Sequence, residues 1–319
     1  MATYERPTFA EILGVSPLGE RARDALRTFR GDPYTPPSRW DVTSLKILKP
    51  RLAIETWLGR RVGGRFAPIY NLFNRTRPPV EEGWSVRVTQ VRDFRGKGLT
   101  YDSHNGTDFA VPPGTLVVAA APGRVVRVSN EFDRGGLKVV LDHGDGLVTT
   151  SNHLSRALVR VGDVVKRGEP VALSGMSGVD GVFAFPWNAP HVHYNVWFDG
   201  EPADPFAAEG ETSLWRNENA PTPHRPDPSA PDEEVPPSEW DGAGVTEAIE
   251  ACLDPTLRAS LTRIEDLGER AVAVMFQRNY YPTRFRSRPR LYARASERRP
   301  RLDLPLSYKD FDGVYFPDA

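Results

Sequence analysis

The spacing of apolar and polar positions changes twice along this chain. In the first part, the apolar residues from Leu18 to Phe29 and from Pro50 to Leu58 recur at three- and four-residue intervals, which predicts short helices. Loop signals at Pro33, Pro36-Pro37 and Pro78-Pro79 separate and follow them. From Trp84 to Phe206 the texture becomes short β-branched runs divided by glycine turns: Ser85 to Val91, Leu116 to Ala120, Arg124 to Val128, Lys138 to Asp142, Leu147 to Thr150, Val164 to Val165, Pro170 to Leu173 and Val192 to Phe198. Short strands at intervals of about 8 to 12 residues predict an all-β sandwich or barrel. Asp145-Gly146 lies between two of these runs and predicts a hairpin, because a type I′ turn requires positive φ at both central positions. His143, beside it, reads as a turn residue.

Seven prolines and several acids between Asn217 and Glu239 predict a stiff, solvated linker, in which His224 is incidental. Helical spacing resumes over Val245 to Leu253 and Leu257 to Leu267, followed by strand-like Ala271 to Phe276 and Arg290 to Ala293. The expected organisation is therefore a partly helical N-terminal extension (1–85), a β domain (86–210), a Pro-rich linker (211–239) and a small Arg-rich C-terminal domain (240–319).

Composition narrows the partners. The 319 residues carry 41 Lys and Arg against 42 Asp and Glu, a net charge of -1 that gives no general attraction to nucleic acid or anionic membranes. Any such contact needs a local patch. One candidate runs from Arg278 to Arg301, with nine arginines, one acid (Glu297) and interleaved Tyr280, Tyr281, Phe285 and Tyr292. It reads either as a surface for an anionic polymer or as a solvated basic face. The single cysteine, Cys252, excludes an internal disulfide. Charges at Glu5, Arg6, Glu11, Glu20, Arg21, Arg23 and Asp24 leave no apolar core for a Sec-type signal peptide, and no run is apolar enough to span a membrane.

Two motifs carry chemistry. His191 and His193 are two apart on an expected strand, so both imidazoles project from one face. His104 and Asp108 flank Gly106, where a tight turn lets both side chains converge on one ion. Imidazole nitrogen and carboxylate oxygen suit zinc, whose catalytic sites have three protein ligands and an open position. Two half-buried histidines with a capping aspartate are the plainer interpretation.

The stretch from Val88 to Phe206 resembles the lysostaphin-like (LytM-type) zinc endopeptidases that cut peptidoglycan. It carries His104-Asn105-Gly106-Thr107-Asp108, then Gly114, Val117, Ala119, Gly123 and Val125 in the family spacing. His153-Leu154-Ser155, the segment Val161 to Gly168, and His191-Val192-His193 follow in order. The resemblance implies a mainly β, antiparallel sandwich or barrel-like peptidase domain of the duplicated-hybrid-motif type. It further implies Zn2+ on His104, Asp108 and His193, with His153 and His191 as catalytic residues off the metal. It implies peptide-bond hydrolysis in peptidoglycan stems or cross-bridges, in the periplasm or outside the cell, which stands against the lack of a readable export signal.

Departures from the family pattern are Ser151 and Asn195, where relatives carry Tyr and Glu, and a longer loop from Gly178 to His191 bearing Phe183, Phe185 and Trp187. Those aromatics would either floor a substrate cleft or plug it. Tyr101 is placed to reach an oxyanion or to pack on Phe109. The competing function is a non-catalytic wall-binding module that regulates another hydrolase. A biotinyl-like hairpin module, the third possibility, leaves the histidines unexplained.

Overall fold

In the computed structural model, residues 4–76, 82–231 and 233–318 are described; the Pro78-Pro79 loop signal lies outside them. Seven of the eight β-branched runs form strands, and Thr107–Ala110 and Glu201–Ala203 add two that were not expected, giving β2 (Thr107–Ala110), β3 (Leu116–Val118), β4 (Gly123–Glu131), β5 (Gly136–Asp142), β6 (Leu147–Ala157), β7 (Val164–Val165), β8 (Pro170–Ser174), β9 (His191–Phe198) and β10 (Glu201–Ala203). The sheet runs β7-β4-β5-β6-β9-β2-β1, where β1 is Phe66–Asn71, and ends on β11 (Gly313–Tyr315), paired to β1 in parallel. Every other pairing among these strands is antiparallel. This is the mainly antiparallel β architecture expected, with the sheet open at its ends. At the β5–β6 turn Asp145 and Gly146 both have positive φ, 46° and 70°.

One face of the sheet and the elements around it bury Phe109, Val125, Val139, Leu141, Leu147, Val192, Tyr194 and Val196 together with Leu214, Trp215, Leu302, Leu304, Leu306 and Phe311. The other face presents Val126, Val140, Val148 and Trp197 to three helices, α5 (Gly242–Glu250), α6 (Pro255–Thr262) and α7 (Leu267–Tyr280). The N-terminal helices are α1 (Phe9–Leu13), α2 (Leu18–Arg30) and α3 (Pro50–Trp57), and a short α4 (Val179–Phe183) interrupts the loop before β9.

Three expected strands are not strands. Ser85 to Val91 makes a single bridge, from Ser85 to Arg39, because side chains take its backbone donors. Thr43 Oγ1 accepts from Val88 N, and Asp102 Oδ1 from Thr89 N and Gln90 N. Ala271 to Phe276 lies inside α7, which Asp266 caps by accepting from Glu269 N. All six residues are buried, so the run shows no polar face from which helical spacing could be read. Arg290 to Ala293 contributes one bridge, Tyr292 to Trp240. Burial of Tyr280, Tyr281, Phe285 and Tyr292 also removes the stacking surface expected of the arginine-rich stretch. No helix among the described residues is long and apolar enough to cross a membrane.

Candidate metal centre

Strand β9 alternates Val192, Tyr194 and Val196 into the first core with His191, His193, Asn195 and Trp197 on the opposite face. The β2–β9 register sets Asp108 directly across from His193. His193 Nδ1 stands 2.7 Å from Asp108 Oδ1. His104 arrives on the turn before β2, its Nε2 3.1 Å from both Asp108 Oδ1 and His193 Nδ1. Asn71 of β1 donates to the second carboxylate oxygen at 2.8 Å. Gly106 does not take a positive φ; the constraint there is space, since a Cβ would stand 2.8 Å from His193 Nε2.

His104, Asp108 and His193 thus offer two imidazole nitrogens and a carboxylate oxygen within 4.8 Å of one another. Tetrahedral zinc with bonds of about 2.0–2.1 Å holds its ligand atoms about 3.3 Å apart, and the separations here, 2.7, 3.1 and 3.1 Å, fall about 0.2–0.6 Å short of that with the donor types zinc takes. The His104 ring is oriented for this, because its Nδ1–H donates to Leu72 O at 2.6 Å and leaves Nε2 as the ligand atom.

His153 comes from β6, which pairs with β9 on the side away from β2. Its φ of 57° is rare for a residue with a side chain and accompanies an irregular register with β5. That left-handed residue brings its ring beside His191, with centroids 4.6 Å apart. His153 Nδ1–H donates to Ser177 O at 2.8 Å and His191 Nδ1–H to Ala189 O at 2.7 Å. The Nε2 atoms face carboxylates, that of His153 toward Asp180 at 3.4 Å and that of His191 toward Asp108 at 3.6 Å. All five residues are buried, none more than 6% exposed.

Burial pushes the Asp108 carboxyl up, but the His104, His191 and His193 imidazoles outweigh it and hold the group well below the usual carboxylate range. Burial lowers the His191 imidazole against the pull of Asp108 and lowers His193 to about 4. The site is one carboxylate ringed by imidazoles, of which His191 and His193 resist protonation, and this donor set suits cation binding.

The Tyr101 ring packs on His104 at 4.6 Å between centroids, tilted by 44°. Ser151 faces away from the metal residues, opposite Tyr194 in the β6–β9 ladder. The loop before β9 is anchored at both ends on the histidines: Asp180 of α4 meets His153, and Asn188 accepts from Tyr70, whose ring packs on His191. Between these anchors Phe183 packs on Phe29, and Phe185 on Phe9 and Trp57. Sequence reasoning did not single out Tyr70, Asn71 or Asp180, and it named Asn105 only as part of the His104 motif and Tyr280 only as an aromatic of the arginine-rich stretch. Tyr70, Asn71 and Asp180 lie outside the histidine motifs; the length of the 178–191 loop is the one hint toward Asp180.

Residues 102–205 match Peptidase family M23. Peptidoglycan DD-endopeptidase ShyA of Vibrio cholerae is 41% identical over 134 residues, 41% of this chain and 29% of that protein. Murein hydrolase activator EnvC of Escherichia coli is 30% identical over 151 residues, 47% of this chain and 32% of that protein. The alignments thus span roughly a third of these curated relatives. The catalytic domain of the antimicrobial peptidase lysostaphin from Staphylococcus simulans is a solved structure 32% identical, with a TM-score of 0.28, covering 32% of this chain and 75% of that one.

Proposed function

We propose that this chain is a zinc-dependent endopeptidase that hydrolyses peptide bonds in peptidoglycan stem peptides or cross-bridges. The observation that carries the proposal is the convergence of His104, Asp108 and His193 on one point, with two further imidazoles beside it. Zinc held by those three residues supplies Lewis acidity toward a scissile carbonyl and acidifies water. His191 and His153 hold their Nδ1 protons on backbone carbonyls, so each offers Nε2 as a proton acceptor, and each can return that proton to a leaving amine. Asn71 and Leu72 O fix the ligands from behind. The endopeptidase relative ShyA supports peptidoglycan as the substrate.

A second reading, a non-catalytic module that activates another wall hydrolase, is favoured by the burial of all five histidine and aspartate side chains and by the likeness to the activator EnvC. Metal content of the purified chain and of His104→Ala, measured beside turbidity loss of purified peptidoglycan, separates the two. The enzyme reading expects about one zinc per chain, lost in the variant together with lysis. Wild type that stays metal-free when zinc is supplied and leaves peptidoglycan intact supports the activator instead.

A further inference from the structure

Asn195 follows His193 by two residues on the same face of β9 and is fully buried. Its Nδ2 donates to the backbone O and Oδ1 of Asn105 at 2.9 Å each and stands 3.0 Å from His193 Nε2. Its Oδ1 accepts from Asn152 Nδ2 at 2.8 Å and from the Tyr280 hydroxyl at 2.7 Å. Asn105 adjoins His104, so this one amide braces the segment of the first ligand against the ring of the third. Tyr280 is the last residue of α7 and lies well outside the segment 102–205 that matches the peptidase family.

The His193 ring turns Nδ1 to Asp108 and His104, which leaves Nε2 to Asn195. The partner of the non-ligating nitrogen sets the rotation and tautomer of a metal-binding imidazole. While Nδ1–H is donated to Asp108, Nε2 faces the amide nitrogen, whose two hydrogens are shared among Asn105 O, Asn105 Oδ1 and Nε2. Once Nδ1 serves a cation, Nε2 bears the proton and needs an oxygen, which the amide offers when it turns over. That turn gives up the bond to Asn105 O and sets Nδ2 against Asn152 Nδ2 unless the Asn152 amide turns with it, whereas the Tyr280 hydroxyl, which can donate or accept, stays bonded to the amide either way. Its ring is held independently of that bond, against Trp84, Trp197 and Phe276 at centroid distances of 5.8, 5.7 and 4.5 Å.

We infer that Tyr280 is a positioning residue for the metal centre: acting through Asn195, it holds the His193 ring in the orientation that binds zinc, so metal retention depends on helix α7. The inference rests on the zinc reading above.

Zinc affinity, measured by competition with a chromophoric chelator, tests it in the full chain. Tyr280→Phe keeps the packed ring and is expected to weaken zinc binding about 10- to 100-fold and to alter the d–d spectrum of the cobalt-loaded protein. Tyr281→Phe removes the neighbouring hydroxyl, which donates to Asp133 rather than to Asn195, and is expected to leave affinity unchanged. Asn195→Ala removes the other end of the bond, and in that background Tyr280→Phe should have no further effect. An unchanged affinity and cobalt spectrum in Tyr280→Phe, whatever Asn195→Ala does, overturn the positioning role and leave the zinc reading intact. A Tyr280→Phe loss that persists in the Asn195→Ala background also overturns it, by showing another route. Wild type that binds no zinc overturns both.

Discussion

A Cβ on Gly106 would meet Tyr194 O at 2.7 Å and His193 Nε2 at 2.8 Å, so the glycine between the first two ligands is required by its neighbours. The motif was legible as a sequence; the reason for its glycine was not, because the ring that needs the space comes from a strand far along the chain. His143 is a similar case. Reading it as a turn residue gave its place, but its ring is completely buried, with Nδ1–H donating to Pro122 O and Thr149 Oγ1 donating to Nε2. Protonation would add an N–H where a donor already points. Burial, with Arg301 and Arg167 nearby, lowers its pKa from 6.5 to about 3. The unfolded chain therefore takes up a proton that the folded chain refuses. Stability should fall as pH drops from 6.5 toward about 3, by up to about 1.4 kcal/mol per pH unit from this group. Denaturant midpoints between pH 7 and 4 should decline more steeply for wild type than for His143→Gln. Equal slopes would show that the ring is not the group responsible.

Helices α2 and α3 were readable from their three- and four-residue apolar spacing, and most strands of the β region from β-branched runs bounded by turn signals, although β6 and β9 are buried on both faces. Strand β1 was not foreseen, since Pro68 interrupts its pattern, and α7 was misread because every residue from Ala271 to Phe276 is covered. How elements join is seen at Asp133, in the turn between β4 and β5. Its carboxylate accepts two hydrogen bonds from Arg27 of α2 and one from the Tyr281 hydroxyl just after α7. The Asp133 side chain is 1% exposed and that of Arg27 is 32%. Asp133→Asn keeps the shape but removes the charge that pairs with Arg27. Breaking a fully buried pair costs about 3–5 kcal/mol, and the partial exposure of Arg27 reduces the expected loss to about 2 kcal/mol. Urea unfolding measures it, and a change below about 0.5 kcal/mol, the size of an ordinary surface substitution, would mean that these elements are held by apolar packing alone.

Helices α5 to α7 cover Val126, Val140, Val148 and Trp197, while Leu302, Leu304, Leu306 and Phe311 complete the core on the opposite face. Uncovering the first four side chains alone forfeits about 6–12 kcal/mol at about 1.5–3 kcal/mol each, comparable to the whole stability of a domain. Truncation after Glu239 should therefore yield a chain without a cooperative thermal transition, as followed by near-ultraviolet circular dichroism. A sharp transition near that of the full chain would show the β region to be self-sufficient. Local chemistry was written in the residue order: the shared face of His191 and His193, the His104–Asp108 pair, and the Asp145-Gly146 hairpin all follow from backbone periodicity and turn preference over a few residues. Long-range packing assigned the rest. It set Asp108 opposite His193, turned His153 inward through a left-handed residue, and brought Tyr280 onto Asn195. The division is physical: neighbours along the chain are constrained by covalent geometry, whereas distant segments meet where burial and hydrogen bonding are satisfied together, and no local spacing encodes that choice.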